Sequence, residues 1–185
     1  MTFAEALSIA QQKVPDGVPV EVEIMRTGGR DVLEVELLVD GVIREVYLDP
    51  ATGDVIAIQD EDGSEVAQQD LASRGKTLVE AAKVSLVEAG DIAREHVHGE
   101  ETIEVEYLVQ DGTLKLDVLV RTSDGYRTVH VDPNDGSVLS VDVGGSPEHH
   151  EEEAHGHDDD DHDDDDHDDD DHDDDDHDDD DHDDD

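Results

Sequence analysis

The sequence predicts an α+β protein built from two similar units and followed by a tail of different composition. Each unit begins with a helix start signal and apolar residues at helical spacing. Short segments follow in which apolar residues alternate with acidic ones, as in half-buried strands. A helix followed by a run of strands is typical of α+β architecture. We therefore expect each unit to pack one helix on a three- to four-stranded antiparallel meander.

In the first unit, Thr2-Phe3-Ala4-Glu5 has the pattern of a capping box, which satisfies the first backbone N–H groups of a helix. The helix is predicted to end near Val14, because Pro15-Asp16-Gly17 breaks it. Alternation then predicts strands at residues 18–24, 33–39, 46–48 and 55–58.

The second unit repeats this order. Thr77-Leu78-Val79-Glu80 reads as a second capping box and opens a longer helix towards Ala93 with a kink at Gly90. Strands are predicted at residues 103–109, 114–120, 126–131 and 138–143. The predicted division is therefore unit one at 1–59, a linker at 60–76 with a short helix at 65–73, unit two at 77–143 and the tail at 144–185.

Both units contain the same turn signal before their last strand. It reads Asp49-Pro50-Ala51-Thr52-Gly53 in the first unit and Asp132-Pro133-Asn134-Asp135-Gly136 in the second. With the capped helix and the meander, this turn resembles the PepSY domain family, although the second copy has Asp135 where the family commonly has Thr. The resemblance implies a non-catalytic, extracytoplasmic module, periplasmic or secreted. It also implies a peptidase or another envelope protein as partner, since some members accompany secreted peptidases as inhibitory or regulatory segments.

Charge and composition exclude several functions. The formal net charge is −46, and 27 of the 57 acidic residues lie in residues 148–185, which leaves −19 on the rest of the chain. Nucleic acids and anionic membranes both require basic surfaces, so neither is an expected partner. The chain has no Cys, and no apolar run is long enough to span a membrane. The N-terminus lacks the pattern of a signal peptide, so the chain is either cytoplasmic or a mature form.

After a looser His/Glu cluster at residues 149–157, the tail has a His at every fifth position from 157 to 182, with runs of four Asp between them. Adjacent carboxylates repel, and no large apolar side chain offsets the repulsion, so the tail is predicted to be disordered. A period of five residues aligns the imidazoles neither on a helix nor on a strand. Imidazole suits Zn, Ni, Cu and Co, whereas carboxylate suits Ca and, we expect, lanthanides. The candidate ligands are His149, His150, His155, His157, His162, His167, His172, His177, His182, Asp158, Asp159, Asp163, Asp164, Asp168, Asp173 and Asp178.

A second candidate metal site lies in the first unit. Strand alternation places five acidic side chains on the polar face of one sheet, where like charges opposite one another destabilise the pairing. A hard cation would offset that repulsion; a solvated acidic face is the alternative interpretation. The five residues are Glu21, Glu23, Glu34, Glu36 and Glu45.

These patterns predict a non-catalytic protein that binds or buffers metal ions, with the metal either a His-bound transition metal or a carboxylate-bound calcium or lanthanide ion. One alternative is a PepSY-type inhibitor or regulator of a peptidase, with an accessory tail. A solubilising tail or contact with a mineral surface are further alternatives for the Asp runs.

Overall fold

The two units form one eight-stranded antiparallel sheet with helices on one of its faces. The computed structural model describes residues 1–60, Leu71 and residues 75–144. The elements are α1 (Phe3–Lys13), β1 (Val18–Thr27), β2 (Arg30–Val39), β3 (Val42–Leu48), β4 (Val55–Asp60), α2 (Lys76–Ala81), α3 (Leu86–His96), β5 (Glu101–Gln110), β6 (Thr113–Thr122), β7 (Gly125–Val131) and β8 (Val138–Val143).

The strand order is β4-β3-β2-β1-β5-β6-β7-β8, so each unit contributes a four-stranded meander. The predicted α+β class and the antiparallel meanders are confirmed. The sequence leaves open whether the units pack together, and the structure joins them through β1 and β5. That seam contains the three residue pairs Glu21↔Glu106, Val22↔Val105 and Glu23↔Glu104. The predicted domain boundaries at 1–59, 60–76, 77–143 and 144–185 stay a prediction.

The first helix begins as predicted. Thr2 Oγ1 accepts from the backbone N–H of Glu5, and the Glu5 carboxylate accepts from the backbone N–H of Thr2 at 2.8 Å. The bond from the Thr2 N–H, together with one from the Thr2 hydroxyl at 3.0 Å, favours the ionised carboxylate and lowers the pKa of Glu5.

The prediction of one long second helix from Thr77 was wrong. The helix α2 starts after Gly75 without a side-chain cap and ends at Ala81, and Ala82 is extended. A new helix, α3, starts at Ser85, whose hydroxyl forms the capping box with Glu88. A residue outside the helices stabilises the break between α2 and α3. The backbone N–H groups of Lys83 and Val84 both donate to the carbonyl of Pro133, in the turn before β8.

The core lies between the helices and the sheet. A row of directly paired β-branched residues crosses all eight strands on the helix-covered face, and its central members are fully buried. Small residues at the helix faces, such as Ala6 and Ala10 in α1 and Ala89 and Ala93 in α3, let the helices lie close to this row. The row consists of Ile58, Val46, Val35, Val22, Val105, Val118, Val129 and Val141.

In the described part of the chain, 1–60 and 75–144, no helix is long and apolar enough to cross a membrane. The predicted helix at 65–73 falls largely outside the described residues; of that segment only Leu71 is described, and its side chain is buried in the core.

Candidate functional site

The face of the sheet opposite the helices carries a band of carboxylates that crosses the seam between the units. Residues in one row are directly paired from strand to strand, so neighbouring side chains start about 5 Å apart. Five of the eight positions in this row are acidic. In order from β4 to β8 the row is Gln59, Glu45, Glu36, Glu21, Glu106, Asp117, His130 and Ser140.

A second row lies beside the first and adds three more carboxylates. Glu34 on β2 pairs with Glu23 on β1, which pairs across the seam with Glu104 on β5. The structure therefore places all five predicted acidic residues, Glu21, Glu23, Glu34, Glu36 and Glu45, on one surface. It also extends that surface into the second unit. We call these eight side chains, Glu21, Glu23, Glu34, Glu36, Glu45, Glu104, Glu106 and Asp117, the acidic band.

Parts of the acidic band are removed from solvent. Glu23, Glu34, Glu36 and Glu45 are buried, with at most 9% of each residue exposed. Glu21 is half-buried at the seam, and burial, followed by repulsion from Glu36 and Glu106, raises the pKa of its carboxyl group. Burying carboxylates next to each other favours protonation or a bound cation.

Three members of the acidic band form the tightest group. Glu34, Glu36 and Glu45 each offer a carboxylate oxygen, and these oxygens lie within 4.8 Å of one another. Two oxygens bound to opposite sides of one calcium ion lie roughly 5 Å apart, because Ca–O distances are about 2.4 Å. The spacing and the all-oxygen donor set therefore fit a hard cation better than a transition metal.

Neighbouring side chains already donate hydrogen bonds to one of these three carboxylates, that of Glu45. The Tyr47 hydroxyl donates to the Glu45 carboxylate at 2.7 Å, and the Gln59 side-chain amide donates to the same oxygen at 2.7 Å. Burial, together with these carboxylates, raises the pKa of Tyr47, so the phenol stays a hydrogen-bond donor. A cation at Glu45 would have to share that carboxylate with two donors.

In the second unit the acidic band ends at a histidine held between two carboxylates. His130 Nδ1 lies 2.6 Å from Asp117 Oδ1, and Nε2 lies 3.1 Å from Asp142 Oδ2. Partial burial by itself lowers the pKa of His130, but the two carboxylates outweigh it and raise the pKa above its ordinary value. Through these two contacts the imidazole connects β6, β7 and β8. Sequence reasoning gave His130 no functional role, and the paired positions Asp117↔His130 would have been the signal.

Two bases of the second unit lie near the ends of its strands. Arg121 pairs with Glu101 at 2.8 Å and with Glu100 at 3.8 Å, at the start of β5. Lys115 donates to the side chain of Gln110 at the neighbouring hairpin. The base in contact with Asp117 is His130.

The candidate ligands of the tail lie outside the described residues, so their role stays a prediction. They are His149, His150, His155, His157, His162, His167, His172, His177, His182, Asp158, Asp159, Asp163, Asp164, Asp168, Asp173 and Asp178.

Exposed apolar side chains mark both outer strands of the sheet. On β4, Ile56 is 58% exposed and Ile58 is 44% exposed; on β8, Leu139 is 57% and Val143 is 82% exposed. Ile58 and Val141 are the two end members of the apolar row that crosses the sheet. Unlike its central members, they are not covered by the helices. Sequence reasoning identified both strands but did not place them at the two edges of a single sheet.

The turns before these strands are built alike. In the first, the backbone N–H of Gly53 donates to the carbonyl of Asp49 at 2.8 Å, and Thr52 Oγ1 accepts from the N–H of Asp54. In the second, Gly136 donates to Asp132 at 2.9 Å, and Asp135 Oδ1 accepts from the N–H of Ser137. Both glycines have positive φ, of 78° and 76°. Asp135 therefore performs the role of Thr52, which accounts for its departure from the expected motif.

Comparison with known proteins agrees with this internal symmetry. The family model described as "PepSY: Peptidase propeptide and YPEB domain" matches residues 1–59 and 83–142. The chain belongs to the PepSY family, with two copies of the domain in tandem. One constant spacing along the chain relates the two segments, because the step from the capping box at Thr2 to that at Ser85 equals the step between the turns at Asp49 and Asp132.

A solved structure with similarity to this chain is that of a candidate lipoprotein from Clostridium difficile 630. The two are 20% identical, with a TM-score of 0.49, over 76% of this chain and 91% of the other. No curated protein gives a significant match.

Proposed function

We propose that this chain is a non-catalytic regulatory module that binds a peptidase outside the cytoplasm and restrains its activity. The observation that carries the proposal is the tandem match to a family described as a peptidase propeptide domain, over residues 1–59 and 83–142. The partner would be a secreted or envelope peptidase, and the described body of the chain would make the contact.

The chemistry of the described residues is consistent with binding rather than catalysis. The imidazole of His130 engages a carboxylate through each of its two ring nitrogens, so neither nitrogen is available to activate a hydroxyl or thiol nucleophile. The sheet instead offers an eight-stranded surface with apolar side chains exposed at both edges and carboxylates on one face.

The proposal is tested with purified chain and a panel of secreted bacterial metallo-, serine and cysteine peptidases. Cleavage of a quenched fluorescent peptide is measured as the chain is titrated, with bovine serum albumin as a competing-substrate control. We expect saturable inhibition of at least one peptidase, retained by a truncation ending at Pro147; activation would contradict the proposal. Loss of the effect with the tail would contradict a role for the PepSY units.

A second candidate function is cation binding, which the spacing of Glu34, Glu36 and Glu45 favours. At this group the ion would be hard, calcium or a lanthanide, whereas Zn, Ni, Cu or Co would require the imidazoles of the tail. Neutral imidazole is the metal-binding form, so affinity at the tail should fall as the pH drops below about 6.5.

Isothermal titration calorimetry with Zn²⁺, Ni²⁺, Ca²⁺ and La³⁺ separates the two kinds of site. The full chain is compared with the Pro147 truncation and with a Glu34→Gln/Glu36→Gln variant. Zn²⁺ or Ni²⁺ binding lost on truncation places the ligands in the tail. La³⁺ or Ca²⁺ binding that survives truncation and disappears in the double variant places them on the sheet. Dissociation constants weaker than about 1 mM for all four ions would end the metal hypothesis.

A further inference from the structure

The strand β8 is an outer edge of the sheet with an apolar surface and few protective features. Among the residues that the structure describes, β8 pairs with β7 alone, so one side of its backbone is open to another strand. Natural proteins guard such edges with Lys, Pro or charges that point towards the core side. The sequence Val-Leu-Ser-Val-Asp-Val of β8 contains a single charged residue, Asp142, and that residue faces the side away from the helices.

The two faces of β8 present different chemistry to an added strand. On the helix-covered face, Val141 continues the buried apolar row beyond Val129, and Val143 lies further along the strand with 82% exposure. On the other face, Ser140 is opposite His130 and Asp142 is opposite Thr128; the Asp142 carboxylate lies 3.1 Å from His130 Nε2, and 74% of its side chain is exposed. A strand added beside β8 would therefore place apolar residues next to Val141 and basic residues next to Asp142.

The charge of the chain favours one of three candidate strands that could pair with β8: a second copy of the chain, its own residues 145–185, or a segment of another protein. A second copy of the chain would bring a net charge of −46 to a chain of the same charge, and would set acidic residues near Asp142. Residues 145–185 of the chain contain no apolar side chain larger than those of Ala154 and Pro147, and no basic residue except His, so they match neither face. The complementary occupant is a basic segment of another protein.

We propose that β8 binds an extended segment of a partner protein in which apolar and basic residues alternate, adding a ninth strand to the sheet. Backbone hydrogen bonds supply affinity in this mode of recognition, and the alternate side chains supply specificity. The proposal deepens the proposed function and rests on it for the identity of the partner, because the segment would belong to the regulated peptidase. Opposite charge would also speed the encounter of the two proteins.

The opposite edge provides a matched control. The strand β4 also has two exposed apolar side chains, Ile56 and Ile58, but its last residue, Asp60, forms an ion pair with Arg44 at 2.7 Å. Val141→Asp/Val143→Asp on β8 and Ile56→Asp/Ile58→Asp on β4 thus make the same chemical change at the two ends of one sheet. Both pairs of side chains are at the surface, and thermal unfolding verifies that each variant keeps the fold.

The probe is a synthetic eight-residue peptide that alternates Val and Lys, with fluorescence anisotropy as the readout. Two control peptides have the same composition: one with the order scrambled, and one with N-methylated backbone amides. We expect the alternating peptide to bind the full chain about ten-fold more tightly than either control. Binding should weaken about ten-fold in the β8 variant and change less than about two-fold in the β4 variant. In Asp142→Lys, preference should shift to a Val/Glu peptide.

Equal binding of the scrambled or N-methylated peptide would overturn the proposal, because it would reduce the effect to adhesion to an acidic chain. So would a β8 variant that binds like the unmodified chain. If the chain regulates a peptidase and the β8 variant does so equally well, the edge proposal is wrong and the proposed function stands. If the peptide results hold but no peptidase is affected, the edge proposal stands and the proposed function is wrong.

Discussion

Individual carboxylates on the sheet work against the fold at neutral pH. Glu21 is paired with Glu36 on one side and with Glu106 on the other, and its pKa is raised by burial and by these neighbours. When the pKa of a carboxyl group is higher in the folded state, the folded protein binds more protons than the unfolded protein does. Ionisation of that group therefore lowers the free energy of unfolding as the pH rises above about 4.5.

Glu21→Gln should remove this repulsion and stabilise the protein by about 1 kcal/mol at pH 7.5. The gain should shrink as the pH approaches about 4.5, where the unmodified carboxyl group is also protonated. Urea unfolding of both proteins at several pH values measures it. Glu80→Gln, at an exposed position on α2, is the control and should change stability little. A constant gain across the pH range would show that ionisation is not the cause.

His130 stabilises the fold when it is protonated, and its effect on stability has the same pH direction as that of Glu21. Its folded-state pKa is raised through Asp117 and Asp142, so its contribution is fully present below about pH 6.5 and is lost as the pH rises through the folded-state pKa. His130→Ala should therefore cost about 1 kcal/mol near pH 6 and much less near pH 8.5. The exposed His96 supplies the control His96→Gln. A cost that does not change with pH would indicate lost packing instead of a lost imidazolium.

The second unit contains two possible start signals for its long helix, and the structure uses the one that we did not predict. Both Thr77-x-x-Glu80 and Ser85-x-x-Glu88 have the sequence pattern of a capping box, and local reasoning selected the first. The helix starts at the second signal because of Pro133, which lies in a turn distant in sequence. The Pro133 carbonyl accepts hydrogen bonds from the N–H groups of Lys83 and Val84, which interrupts the helix before Ser85. The spacing between the two Asp-Pro turns was visible in the sequence and, applied to Thr2, would have pointed to Ser85.

Ser85→Ala should therefore destabilise the protein by about 1 kcal/mol, the usual cost of losing a helix cap. Thr77→Ala should have little effect, since α2 has no side-chain cap. Chemical unfolding of the two variants measures the difference. A larger loss for Thr77→Ala would mean that the helix starts where the sequence alone indicated.

Strand alternation predicted the acidic surface of the first unit well, since it depends only on which residues share a face. It could not predict that the surface continues across two units, because the β1–β5 pairing joins residues that are distant in sequence and depends on the packing of whole meanders. The same distant pairing fixes which strands lie at the edges. The edge position of β8 was therefore beyond local pattern reasoning.

The whole molecule depends on a short seam. Two of the three β1–β5 pairs place Glu opposite Glu, while Val22 and Val105 are fully buried between them. The apolar row thus holds the units together, and the acidic band pushes them apart. Conditions that neutralise the band, such as low pH or a bound cation, should make the units unfold more cooperatively.

Glu104→Lys/Glu106→Lys should turn both repulsive pairs into attractive ones and raise the free energy of unfolding by about 1–2 kcal/mol. Hydrogen exchange of the Val22 and Val105 amides should slow in this variant. Glu80→Lys/Glu95→Lys, at exposed sites on the helices, makes the same change in net charge and is the control. Equal stabilisation by the control would assign the effect to net charge and not to the seam.

Regulation of a peptidase by the tandem PepSY body is the central claim. The measurement that tests it most directly is the inhibition titration of secreted peptidases with the Pro147 truncation. The account predicts a saturable decrease in the rate of peptide cleavage for at least one peptidase, with the same midpoint for the truncation and for the full chain. No change with any peptidase, together with tight cation binding by the full chain, would contradict the account and make metal capture the function of this protein.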